Sequence, residues 1–77
     1  MYLKIEANCR VYILRVTDIR NVSTGFSGKG WEIYVYYRCG ADAATTICFD
    51  DKNKRNEAFE KIYQALVSWE ERKNEYV

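Results

Sequence analysis

Residues 31–39, "WEIYVYYRC", decide how this chain folds. Read as a strand, they send Trp31, Ile33, Val35, Tyr37 and Cys39 to one side and Glu32, Tyr34, Tyr36 and Arg38 to the other. The first set suits a core. The second would be plainly polar if it met only water, yet it holds two tyrosines and an arginine. The outer face of this strand therefore carries the strongest hint of function in the sequence.

Downstream, "GADAA" (Gly40 to Ala44) reads as a hairpin loop and "TTICFD" (Thr45 to Asp50) as its return strand. Pairing Tyr37 with Ile47 and Val35 with Phe49 puts all four on one face and leaves a loop of common length. That register sets Cys48 beside Tyr36 and Asp50 beside Tyr34. Upstream, "GFSGKG" contains Gly25, Gly28 and Gly30 and reads as another hairpin loop. It is not a phosphate loop, because a Walker motif needs Gly-Lys followed by Ser or Thr and then a helix. Here Lys29 is followed by Gly30 and a strand.

Thr17 to Thr24 reads as a weaker strand. Ile19 and Val22 stand three apart, which predicts a bulge. Arg10 to Val16 is a strand whose buried face stays open: Val11 and Ile13, or Tyr12, Leu14 and Val16. Tyr2 to Ala7 alternates with Leu3, Ile5 and Ala7 inward, and Asn8-Cys9 is a tight turn. After Asp51 the period becomes helical. Ala58, Phe59, Ile62, Tyr63, Leu66 and Trp69 recur at three and four residues, forming one stripe. Asp50 or Asp51 can cap that helix. The cations Lys52, Lys54 and Arg55 in its first turns oppose the helix dipole.

Strands first and one helix last define an α+β domain: an antiparallel meander of four or five strands with one long C-terminal helix across one face. The 77 residues allow one domain, with strands over about 2–50 and the helix over about 52–74. A hydrophobic fraction of 48% excludes a disordered tail. "ICFDDKNKRNEAFEKIYQAL" (Ile47 to Leu66) resembles the ending of small bacterial and phage proteins in which a strand meander closes with Phe and an acidic cap before a helix. The matching residues are Phe49, Asp50, Asp51, Ala58, Phe59, Ile62 and Leu66, and "LKIEANCRVYILRVTDIRNV" looks like the companion strands. The resemblance implies this fold and assigns no function. The order of strands then helix is also similar to a PUR repeat, a single-stranded nucleic-acid binder, although no motif carries binding residues over.

The chain has no histidine, which removes Ser-His and Cys-His nucleophiles and imidazole metal ligands. Cys9, Cys39 and Cys48 form no C-x-x-C and are too few for a Cys-only zinc site. We expect three free thiols, with Cys39 in the core. No catalytic residue, metal or cofactor is expected, and Asp50-Asp51 is a cap rather than a catalytic pair. No apolar run is long enough for a membrane span and no signal peptide is present, so a cytoplasmic location is expected.

The net charge is +1, too small for phosphate binding by the whole surface. Residues 1–38 nevertheless hold six Lys/Arg and three Asp/Glu, and residues 39–77 six and eight. The expected function is a non-enzymatic interaction module that self-associates, or binds another protein, through Tyr34, Tyr36 and Arg38 or through the helix end at Trp69. A helix from Lys52 to Asn74 would run about 34 Å and overhang strands of about 26 Å. Trp69 would then dock on a second copy; on a longer sheet it would close the core of one chain. The alternative function is single-stranded nucleic-acid binding, with bases stacked on Tyr34 and Tyr36 beside Arg38. A third account of the tyrosines is cross-strand packing alone.

Overall fold

A two-stranded hairpin, a three-stranded meander and a helix share a single core. The computed structural model describes the backbone of residues 1–38 and 44–75, and side chains as far as residue 70. Strand β1 (Tyr2–Ala7) pairs antiparallel with β2 (Arg10–Arg15). The turn between them places Asn8 at φ 54°, a left-handed conformation that asparagine tolerates. A single 3-10 turn, η1 (Val16–Asp18), leads into β3 (Ile19–Ser27), β4 (Gly30–Tyr37) and β5 (Ala44–Phe49). Helix α1 spans Lys52–Glu75. The strands divide into a sheet of β1-β2 and a sheet of β3-β4-β5, all antiparallel.

Alternation decides what is buried. Ile5 and Ala7 of β1, Leu14 of β2, Ile33 and Val35 of β4, and Ile47 and Phe49 of β5 meet Ala58 and Ile62 of the helix. Strand β2 turns Tyr12 and Leu14 inward, which leaves Val11 and Ile13 exposed. The bulge falls between Ile19 and Asn21, within the segment where the apolar spacing lapses. Asp51 caps the helix: its carboxylate accepts the Asn53 amide at 2.8 Å.

Two elements differ from the sequence expectation. The β4–β5 register pairs Ile33 with Ile47 and Trp31 with Phe49, four residues from the pairing expected. A shift by an even number keeps every inward residue inward, so the hydrophobic pattern fits both registers. The observed one buries Phe49 opposite Trp31 and lets the Tyr37 hydroxyl bond Thr45 Oγ1 at 2.7 Å. It sets Cys48 beside Glu32, not Tyr36. Cys39 lies outside the described residues, so its expected core position is not addressed.

"GFSGKG" is also more strand than loop. Gly25, Phe26 and Ser27 belong to β3, and only Gly28-Lys29 separate Ser27 from its partner Gly30. Gly30 has φ +117°, and a Cβ there would lie 2.7 Å from the Phe49 carbonyl oxygen. A Cβ on Gly28 would meet open space. Gly30→Ala is therefore expected to destabilise the fold by about 1–3 kcal/mol, from strain in a conformation that L-residues avoid. Gly28→Ala is expected to change it by less than about 1 kcal/mol. Urea unfolding of the two variants checks the contrast; equal midpoints would contradict the Gly30 geometry.

Candidate functional site

The outer face of β4 is a packed surface. Tyr34 and Tyr36 point away from the core as alternation requires, but both are half-buried. The Tyr34 ring lies over Gly25 on the neighbouring strand: a Cβ there would stand 2.8 Å from Tyr34 Cε2. A glycine in a strand interior costs packing, and an aromatic ring across the pair restores it.

Beneath this ring sits a carboxylate. Glu32 is only 6% exposed. Its Oε1 accepts the Tyr34 hydroxyl at 3.1 Å and its Oε2 accepts the Cys48 thiol at 3.6 Å. Its carboxyl is held below the ordinary value, first by a hydrogen bond from Ser27, then by those from Tyr34 and Cys48 and by the charge of Lys29; burial opposes them. The same contacts act on the donors. The Tyr34 hydroxyl is pushed up by its bond to Glu32 and by burial, and the Cys48 thiol by burial and then by Glu32. Ionised groups surrounded by donors keep their charge, and donors facing a carboxylate keep their protons. The cluster is thus static at neutral pH, and it explains why a strand face on the outside of the sheet carries tyrosines.

Arg38 does not join that face. It lies beyond the end of β4, where alternation stops, and its guanidinium reaches the Glu70 carboxylate on the helix at 3.8 Å. A tyrosine platform with Arg38 beside it is therefore absent. Trp69, next to Glu70, is half-buried within the single chain, so the turn expected to overhang the sheet is already partly covered. Of the four residues singled out by the sequence, Tyr34 and Tyr36 thus lie outside the sheet, Arg38 turns to the helix at Glu70, and Trp69 is the neighbour of that glutamate on the helix.

A different surface lies open along β3. This strand has β4 on one side and no paired strand on the other. Between it and the helix runs a groove of about 480 Å³, lined by Val22 and by Phe59, Tyr63, Leu66 and Val67, with Arg20, Asn21 and Glu70 at its rim. Tyr63 is 48% exposed there. The helical stripe in the sequence contained Phe59, Tyr63 and Leu66, but periodicity alone could not tell which edge of the stripe lacked a covering strand.

Cys9 is an exposed free thiol and Cys48 a half-buried one. Among the described residues no three His, Cys, Asp or Glu side chains gather to hold a metal. No described helix is long and apolar enough to cross a membrane. Comparison with protein-family models, with curated proteins and with solved structures finds no match for this chain.

Two outcomes follow. Because the Glu32 carboxyl is lowered on folding, it contributes stability that is complete above its ordinary value of 4.5 and is lost as pH falls through the folded-state value. Glu32→Gln should therefore flatten the acid limb of a stability-against-pH curve; an unchanged limb would remove Glu32 from the network. Iodoacetamide should alkylate Cys9 before Cys48, since thiolate and access are both needed and Cys48 is half-buried with its thiol pushed up. Peptide mapping at timed intervals checks the order, and equal rates would contradict the Cys48–Glu32 contact.

Proposed function

We propose that this protein is a small non-enzymatic interaction module that self-associates along β3 and the adjoining helix face. The observation that carries it is the apolar groove of Val22, Phe59, Tyr63, Leu66 and Val67 beside an edge strand. Edge strands of monomeric proteins are commonly blunted by proline, charge or a covering element. Strand β3 has nine residues, no proline and one charge, Arg20. The Arg55 guanidinium occupies the Gly25 carbonyl at 3.3 Å, so the stretch left to pair is Asn21 to Thr24. A second copy offers an identical edge and an identical groove, and an isologous two-fold contact covers both at once. Tyr63 supplies the large, stiff ring typical of such contacts. The sequence has no histidine, and the one buried carboxylate among the described residues is held ionised under three donors, which supports the non-enzymatic reading.

Light scattering at high micromolar concentration should give the mass of a dimer. Tyr63→Asp should return it to the monomer mass with an unchanged circular-dichroism spectrum, because the side chain is exposed and its replacement leaves the core alone. Tyr34→Ala combined with Tyr36→Ala should leave the dimer intact. A monomeric parent protein would overturn the proposal, and a dimer lost only in the tyrosine pair would move the contact to the outer face.

A further inference from the structure

The hairpin end of β3 holds a second feature, independent of self-association. Phe26 is 68% exposed, although it lies on the inward side of its strand opposite Trp31. The two ring centroids are 4.6 Å apart with planes tilted by 50°. Over the Trp31 ring stand two cations from the first turns of the helix, Lys52 with its Nζ at 5.5 Å and Arg55 with its Cζ at 5.3 Å.

Arg55 is the unusual member. It is 8% exposed, which is rare for a guanidinium without a carboxylate partner. Among the described residues it forms no ion pair. Its Nε donates to Asn56 Oδ1 at 2.8 Å and its Nη1 to the Gly25 carbonyl at 3.3 Å. A guanidinium has five N–H donors, so Nη2 has no protein partner among the described residues. Nor is it sealed, since no buried side-chain nitrogen lacks a partner. Lys52 is exposed and likewise unpaired among the described residues. Asp51, the nearest acid in sequence, is committed to the Asn53 amide as the helix cap.

Two cations with no ion-pair partner among the described residues therefore stand over Trp31, and the ring packed against Trp31, Phe26, is exposed. Through its bond to Gly25, Arg55 is fixed next to the residue that carries that ring. A phosphate could take Nη2 of Arg55 and the Lys52 ammonium while a planar group lies on Phe26. We propose that Phe26, Arg55 and Lys52 form a binding site for a nucleotide unit, a planar base carrying a phosphate, either free or within a single strand. Asp50 and Asp51 precede Lys52 in the chain, but neither forms an ion pair with Lys52 or Arg55 among the described residues, so both cations can meet a phosphate. The site is small, one ring and two cations, and a single unit should bind weakly.

Trp31 provides the readout. In a Trp69→Phe background it is the remaining tryptophan, and a ligand on Phe26 should change its emission. The probes are adenosine monophosphate and a short labelled oligothymidylate, each titrated at low and at moderate salt. Saturable binding of either probe is expected, with Phe26→Ala weakening it about ten-fold or more, as loss of one stacking partner does. Lys52→Ala should weaken binding and reduce its salt dependence by about one phosphate contact. Tyr36→Ala should not change it. Binding of both probes assigns the site to single nucleotides; binding of the oligonucleotide alone assigns it to a strand. Absence of saturable binding at low salt and high micromolar protein would overturn the proposal, as would binding that survives Phe26→Ala.

Discussion

A single helix has to cover too many strands. With side chains a helix is about 10–12 Å across, and strands are spaced about 4.8 Å apart, so one helix shields roughly two of them. Here it lies against β4, β5 and the edge of β1, where Ile33, Val35, Ile47 and Ile62 are completely buried. Beyond Ile19, which joins the core, the inward side of β3 is largely left over. Along it Val22 is half-buried, Thr24 is exposed and Phe26 is exposed. The groove beside Tyr63 and the bare ring of Phe26 are both consequences of this shortfall, and so is the absence of a charged guard along most of β3.

The same limit shapes the outer face of the three-stranded sheet, which no described element covers. Polar side chains alone could have solvated it. Instead the chain packs it locally: Tyr34 fills the space over Gly25, and Glu32 collects the hydroxyl of Tyr34 and the thiol of Cys48. A buried carboxylate is costly unless donors surround it, and here its own strand and both neighbouring strands supply them. Tyr34, one of the two tyrosines that made this face look like a contact surface, thereby has a packing role within one chain. Cross-strand packing was one of the accounts open at the level of sequence, and the geometry of Tyr34 supports it directly.

Much of the fold could be read from residue order. The strands, the helix from Lys52, the Asp51 cap and the bulge after Ile19 each have a local cause, such as period, capping chemistry or broken spacing, and a local cause leaves a local mark. What failed was decided at a distance. The β4–β5 register is degenerate by pattern, and the pairing of Trp31 with Phe49 chooses it. Arg38 follows alternation until the strand stops, and Glu70 of the helix then captures it. The extent of β3 was hidden because Gly25 marks a loop in most sequences; here it makes room for a ring from another strand. The candidate surfaces were hidden for a similar reason. Which edge of the helical stripe stays bare depends on where the helix settles across the sheet.

Arg55 connects these threads. In sequence it is a cation at the wrong end of a helix, opposed by the dipole. In the structure its charge is spread over the face of Trp31 and the carbonyl of Gly25, both belonging to the β3–β4 hairpin. The residue that disfavours the helix start thus fastens that start to the hairpin, a tertiary gain over a local cost. Fastening there fixes which end of β3 the helix approaches closely. The hairpin end receives Arg55 and Lys52 over Trp31, against which Phe26 packs, while the opposite end faces Phe59, Tyr63 and Val67 across the groove. Thr24 separates the two. The exposed Phe26 with its neighbouring cations and the apolar groove therefore follow one another along the same edge strand.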